Sequence, residues 1–360
     1  MAENTRDFAA LLTRWQHTHG RHDLPWQRKE NRPRDAYRIW LSEIMLQQTQ
    51  VATVIPYYQR FLERFPDLPS LAQAPTEAVM ALWSGLGYYA RARNLQAAAQ
   101  RIVADFNGEF PRDTETIATL PGIGRSTAAA IAVFAFDARA AILDGNVKRV
   151  LSRCFGIEGW YGEKAVENRL WALAESLLPE RDEHENVIAY TQGLMDLGAT
   201  VCTRSKPICA ACPVASLCIA RREDRTTTLP TPRPKRAQPH KAVSMLVLRQ
   251  RNRVLLERRP PSGIWGGLYS LPELPEPQLD ATVFASQTLG CELEKNAGIK
   301  TLPVVHHAFT HFRLTITPLL VEVAKQQPAA HETGLVWVDL QELDSAPLPT
   351  PIRKILSALG

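Results

Sequence analysis

The sequence contains no long hydrophobic run. Nothing in its 360 residues approaches the roughly eighteen consecutive apolar residues of a membrane span. The opening M-A-E-N-T-R-D-F lacks the basic-then-apolar order of a secretory signal. Charge of one sign is also scarce. Lys and Arg number 42 against 37 Asp and Glu, a formal net charge of +5, too mild to announce a polyanionic partner by itself. Cysteine is sparse as well, six in all, and four of these fall within residues 202–218. That uneven placement argues against a disulfide framework and leads to the expectation of a reducing, cytoplasmic setting with no membrane contact.

What is present is enough chain for two domains, each able to bury a core. Residues 7–20 read as an amphipathic helix with Phe8, Leu11, Leu12 and Trp15 on one side, ended by Leu24-Pro25-Trp26. From Tyr37 to Ile55 apolar residues recur at helical spacing, which predicts one strong helix. Glu43 sits about one residue off that stripe, with Gln47 a turn further on the same side. A carboxyl group at the edge of a buried face can be desolvated and kept protonated; the competing account is a solvated surface glutamate. In L-W-S-G-L-G-Y-Y-A-R-A-R-N, two glycines and two tyrosines stand beside Arg91 and Arg93. The rings suit a wedge into a base stack, or equally a packed core turn.

The stretch L-P-G-I-G-R-S-T places Gly122 and Gly124 in a turn, where bare backbone can take positive φ and approach another molecule. Arg125 and Ser126 then open an alanine-rich helix. Backbone N–H groups at such a start suit a phosphate, although L-P-G-I-G alone fits a helix–turn–helix corner equally well. Asp144 follows in the polar turn I-L-D-G-N-V-K-R-V with Lys148 and Arg149. Cys202, Cys209, Cys212 and Cys218 are spaced C-x6-C-x2-C-x5-C. Four thiols so close in a reducing compartment indicate a metal site. A zinc ribbon pairs two C-x-x-C knuckles over a longer loop, whereas this compact run suits a [4Fe–4S] cluster. Cys154 and Cys291 stand apart and read as buried thiols. Residues 223–240 are Pro-rich and basic and read as a linker. Beyond it A-V-S-M-L-V-L and R-V-L-L-E-R-R predict a β-hairpin, later strands follow, and Ile352–Leu359 predicts a closing helix.

Taken together, L-P-G-I-G with its downstream Asp144 resembles the helix–hairpin–helix superfamily of base-excision DNA glycosylases. L-S-E-I-M-L-Q-Q-T-Q-V and I-L-D-G-N-V-K-R-V are similar to one branch, the adenine DNA glycosylases, and the resemblance covers about residues 8–358. It implies a multidomain α and α+β protein. Residues 1–222 would form an all-helical glycosylase domain, with the hairpin at about 118–137 and a cluster loop at 202–218. Residues 223–240 would link it to a Nudix-like α/β domain, 241–360. The implied catalytic pair is Glu43, the acid, and Asp144, which stabilises the sugar cation. Gln47, Gln48, Tyr88, Gly122, Gly124, Arg125, Ser126 and Lys148 would contact DNA, with Tyr88 intercalating. Trp26 and Gln192 would meet the adenine. Phe309, Thr310 and His311, from H-H-A-F-T-H-F, would meet 8-oxoguanine, Thr310 standing where the family has serine. The four clustered cysteines would hold the [4Fe–4S] group. The implied partner is duplex DNA carrying adenine opposite 8-oxoguanine, bound by a monomer in the bacterial cytoplasm and associated with the nucleoid through DNA.

Three features separate this reading from its competitors. Glycosylases of the endonuclease III type that also cut the strand carry a lysine two residues past the second hairpin glycine; Ser126 stands there. No run of clustered glutamates lies in 278–294, which opposes a Nudix pyrophosphate hydrolase. An iron–sulfur electron carrier would need neither Glu43, Asp144 nor the hairpin.

Overall fold

The structure, a computed structural model, describes residues 2–27, 34–180, 184–234, 237–260, 263–276, 279–295, 297–309, 311–326, 334–343 and 346–359. It divides into two compact units: Met1–Gln73 with Ala97–Lys235, and Ala74–Gln96 with Arg236–Gly360. Sequence had assigned residues 74–96 to the helical half, with no local pattern to indicate otherwise. By packing they fall in the second unit.

The first unit is helical: α1 (Ala2–His19), α2 (Ala36–Leu46), α3 (Val51–Arg64), α4 (Leu68–Ala72), α7 (Thr114–Ala118), α8 (Arg125–Phe136), α9 (Gly145–Cys154), α10 (Lys164–Ser176), α11 (His184–Asp196) and α12 (Ile219–Arg222). In the second, α5 covers Thr76–Trp83; α6, Ala90–Asp105, contains the boundary at Gln96. Aspartates start four of these helices. Asp35, Asp67, Asp113 and Asp144 each accept the backbone N–H three residues on, at 3.2, 2.9, 2.7 and 2.8 Å. Each such cap is worth about 1 kcal/mol. The single helix expected over Tyr37–Ile55 is two. Gln48 takes a left-handed φ of 57°, and the run Gln47–Gln50 offers no apolar side chain to hold a continuous helix against the core.

Helices α1 and α8–α11 enclose the core, with Phe8, Leu12, Leu151, Leu170 and Tyr190 almost wholly removed from solvent. Helix α11 approaches α1 closely at Gly193, where an added Cβ would lie 3.2 Å from both Leu12 and Gln16 side-chain carbons. After Asp196 the chain widens into a π turn, Leu197–Val201, and enters the cysteine segment.

The second unit holds an eight-stranded sheet, ordered β3-β2-β1-β7-β4 along its main path, with β5 and β6 also on β7 and β8 on β2. Its long strands are β1 (His240–Gln250) and β7 (Arg313–Gln326), paired in parallel, while β2 (Arg253–Arg258) returns from β1 antiparallel as the hairpin pattern predicts. The remaining strands are β3 (Tyr269–Ser270), β4 (Cys291–Leu293), β5 (Lys300–Thr301), β6 (Val305–Ala308) and β8 (Leu335–Asp339). Helices α13 (Ala281–Gln287) and α14 (Thr350–Ser357) complete it. Ser84, just past α5, donates to the Leu348 carbonyl at 3.0 Å and accepts from Arg353 at 3.2 Å, which ties residues 74–96 to α14.

The close approach at Gly193 predicts that Gly193→Leu, an overpacked α1–α11 contact, loses about 1–3 kcal/mol of stability. A urea midpoint unchanged from the parent would contradict that packing.

Candidate active site

An open cavity in the helical unit is lined by Arg21 and Trp26 from the segment after α1, Glu43 of α2 and Gln192 of α11. Glu43 occupies the middle of α2, half-buried, with buried Ser42 and Ile44 on either side. Burial, then the charge of Asp144, pushes its carboxyl from an ordinary 4.5 up to about 8. It is therefore stored as the acid at neutral pH. Asp144 also has its pKa raised by burial, but several groups oppose the shift: the N–H groups of Val147 and Asn146, and the charges of Arg149 and Lys148. Its Oδ1 accepts the Val147 N–H at 2.8 Å as the cap of α9. A carboxylate there faces the positive end of the helix dipole. The two carboxyl groups thus sense each other, yet one is equipped to keep its proton and the other is furnished with partners for its charge.

Trp26 packs edge-on against Tyr58 at 5.4 Å between centroids and lines the cavity. Gln192 donates its amide nitrogen to Asp196 Oδ1 at 2.8 Å, leaving its carbonyl oxygen as an acceptor. Asp196, 1% exposed, is also gripped by Arg21: the backbone N–H lies 2.8 Å from one carboxylate oxygen and Nε 2.7 Å from the other. Sequence reasoning missed Arg21 and the use of Asp196, because 175 residues separate the pair and no local spacing joins them.

At the hairpin, Gly122 takes φ 77° and does need glycine. Gly124 does not take positive φ. It is extended at φ −92°, caps α8, and a Cβ there would meet open space, so its bareness serves approach alone. Ser126 Oγ accepts the Leu143 N–H at 2.8 Å and so fixes the hairpin to the residue before Asp144. Gln47 Nε2 lies 3.4 Å from Thr127 Oγ1, while Gln48 is exposed in its left-handed turn. Arg125 lies over the Trp171 ring at 3.9 Å, and Lys148 donates to Glu167 at 2.8 Å.

Arg149 connects the Asp144 turn to the cysteine segment. It donates to Asn146 Oδ1 and to the carbonyls of Gly198 and Cys202 at 2.7–2.8 Å. An added Cβ on Gly198 would lie 2.6 Å from Asn146 Cβ. Cys202, Cys209, Cys212 and Cys218 line one small cavity together with Arg153. Arg153, 3% exposed, donates to Cys202 Sγ at 3.4 Å and to the carbonyls of Thr203, Arg204 and Leu229. Cys154 is buried as expected but not isolated. Its thiol hydrogen-bonds to Cys218 and is the main cause lowering the Cys218 thiol to about 6. Among the described residues no three His, Cys, Asp or Glu side chains are placed to hold a single metal ion. Four half-buried thiols around one cavity, with a buried cation on one sulfur, do suit a polynuclear, thiolate-bound group.

In the second unit, Tyr88 is half exposed in a left-handed conformation, φ 49°, with Arg91 5.5 Å from its ring. Phe309 sits in an aromatic group, stacked on Phe312 at 4.5 Å, edge-on to His307 at 4.6 Å, and 6.4 Å from His311. Its N–H donates to the Phe312 carbonyl and closes the loop tip. Thr310 lies outside the described residues.

Comparison with known proteins agrees with this geometry. The family model for HhH-GPD superfamily base excision DNA repair proteins matches residues 41–176, and that for the NUDIX domain matches 243–358. The adenine DNA glycosylase of Buchnera aphidicola subsp. Schizaphis graminum is 36% identical over 351 residues, 97% of each chain. That of Homo sapiens is 34% identical, covering 97% of this chain and 73% of its own. Among solved structures, a thermostable thymine-DNA glycosylase aligns with a TM-score of 0.54 and 30% identity, over 61% of this chain and 98% of its own.

Glu43 carries a pH prediction. Its folded-state pKa lies above the ordinary value, so between about 4.5 and 8 the native chain holds a proton that the unfolded chain releases. Stability must then fall as pH rises through that window. Glu43→Gln removes the dependence, and its stability relative to the parent should climb from pH 4.5 to 8 and level off. A pH-independent difference in denaturant unfolding would refute a stored proton.

Proposed function

The chain belongs to the adenine DNA glycosylase family, and from that premise we propose that it hydrolyses the N-glycosidic bond of adenine paired with 8-oxoguanine. The supporting observation is the pairing of a protonated Glu43 on the cavity wall with a capped Asp144. A base inside the duplex cannot reach Glu43, so the adenine must first swing out of the stack into the cavity. Tyr88, half exposed in its constrained turn, has the shape to fill the gap left behind. The acceptor oxygen of Gln192 suits the exocyclic amine of adenine, and Trp26 offers a flat apolar wall. Glu43 delivers its proton to a ring nitrogen as the bond to the sugar lengthens. Asp144, its charge partnered by the Val147 and Asn146 N–H groups and by Arg149 and Lys148, faces the developing oxocarbenium charge and stabilises it.

Water then completes the reaction, because Ser126 has no amine with which to form a Schiff base. Its hydroxyl is also committed to Leu143. The enzyme is accordingly monofunctional and leaves the abasic strand mostly uncut. Gly122, Gly124, Arg125 and Lys148 present backbone and charge to phosphates, and Gln47 and Gln48 lie close by at the α2 terminus. Residues 1–222 carry the chemistry and 223–240 serve as a linker. The Nudix-like 241–360 reads the opposing base through Phe309, Thr310 and His311. Cys202, Cys209, Cys212 and Cys218 hold a [4Fe–4S] cluster, which supplies a rigid cross-link and no part of the hydrolysis. Among the described residues no helix is long and apolar enough to cross a membrane; we place the monomer in the cytoplasm, on nucleoid DNA.

Two measurements test this. In a duplex assay, adenine opposite 8-oxoguanine should be released while damaged pyrimidines are not. Glu43→Gln and Asp144→Asn should each slow release by about 10²–10⁴ and keep mispair binding; parent-like release by either variant removes that residue from the chemistry. Anaerobically purified protein should contain about four irons and four sulfides per chain. Stoichiometric zinc without iron would overturn the cluster assignment.

A further inference from the structure

Two of the cations assigned to DNA, Arg125 at the start of α8 and Lys148 on α9, are already paired in the folded chain. Arg125 is ion-paired with Glu175 while its guanidinium lies over Trp171. Lys148 is paired with Glu167 at 2.8 Å. Glu167, Trp171 and Glu175 stand four residues apart on α10 and form one continuous ridge. The adjacent row, Val166, Leu170 and Ala174, is buried and anchors the helix. The ridge is not needed for that anchoring. The Arg125–Glu175 pair is 60% and 52% exposed, a setting in which an ion pair adds little to stability.

We propose that the Glu167–Trp171–Glu175 ridge of α10 is an internal phosphate surrogate that lowers the affinity of this enzyme for undamaged duplex DNA. The inference rests on the DNA-binding reading of Arg125 and Lys148. Arg125 reaches a phosphate only by leaving Glu175, which must then face the incoming polyanion, and Lys148 only by leaving Glu167, which keeps Lys164 at 3.4 Å. Sequence-independent contact is weakened by that exchange at every site along the duplex. The same cost falls at the mispair, where contacts from the base pocket and the loop tip add to the phosphate contacts, so the exchange shortens residence on undamaged DNA while the ratio of specific to non-specific binding is unchanged. Glu167 and Glu175 thereby set DNA affinity without meeting the substrate base. Trp171 keeps the guanidinium near the hairpin when Glu175 lets go, because a cation can slide over a ring face without losing contact.

The test is fluorescence anisotropy with an undamaged duplex from 50 to 200 mM salt, using full-length holoprotein. Glu175→Gln and Glu167→Gln should each tighten binding by about two- to fivefold at fixed salt. Each should also steepen the slope of log affinity against log salt by about 0.9. Arg125→Gln placed on Glu175→Gln should cancel that variant's gain. Glu175 is half exposed, so its substitution leaves the core intact and suffices should Glu167→Gln unfold. Parent-like affinity and slope in Glu175→Gln overturn the proposal and leave the DNA-binding reading standing. A parent that shows no salt-dependent duplex binding overturns both.

Discussion

The structure of the helical unit turns on one hydrogen bond, from the Val147 N–H to the carboxylate of Asp144. It starts α9, and it fixes where a negative charge sits relative to the Glu43 proton. Everything that supports this bond comes from elsewhere in the chain. Ser126 holds Leu143 from the hairpin side, and Arg149 braces Asn146 against Gly198 and Cys202. The cap is therefore the meeting point of three segments that sequence shows as separate motifs. A capping aspartate ordinarily stabilises a helix. Under the proposed mechanism the same geometry orients the carboxylate that faces the sugar, so folding and chemistry would share one contact.

Much of the fold was legible because its signals are local. Helical periodicity located α1, glycine and proline marked the hairpin, and the apolar runs A-V-S-M-L-V-L and R-V-L-L-E-R-R marked β1 and β2. Boundaries failed where a local signal had a tertiary competitor. The run from Tyr37 to Ile55 keeps its apolar period across Gln47–Gln50, yet the backbone breaks at Gln48, since periodicity reports burial and not continuity. The allocation of residues 74–96 was illegible for a related reason. Ser84 finds its partners Leu348 and Arg353 more than 260 positions away.

The candidate site divides in the same way. The four cysteines were named from their spacing, and Glu43 and Asp144 from the family resemblance of the compact stretches that carry them. Arg21 and Asp196 were not, since a buried ion pair across 175 residues leaves no trace in spacing. Cys154 looked solitary because its partner Cys218 lies 64 positions on (218 − 154). Gly124 was read as free to take positive φ and to allow close approach, and in the structure it is extended and bare. In each case the residue type was informative and the partner was not.

The π turn at Leu197–Val201 bears on how the chain can vary. Such a turn carries one residue more than an α-turn of the same height, and it delivers Cys202 to the carbonyl contact with Arg149. Deleting one residue there would let the segment relax into an ordinary α-turn of the same height, which changes the carbonyls left outside the helical hydrogen bonds. The Gly198 and Cys202 carbonyls that Arg149 holds would then be presented differently. Length in this segment is thus under tighter constraint than composition. The exposed Ala199 side chain can change without losing a contact, whereas Thr200 donates to the Asp196 carbonyl at 2.8 Å and helps hold the turn.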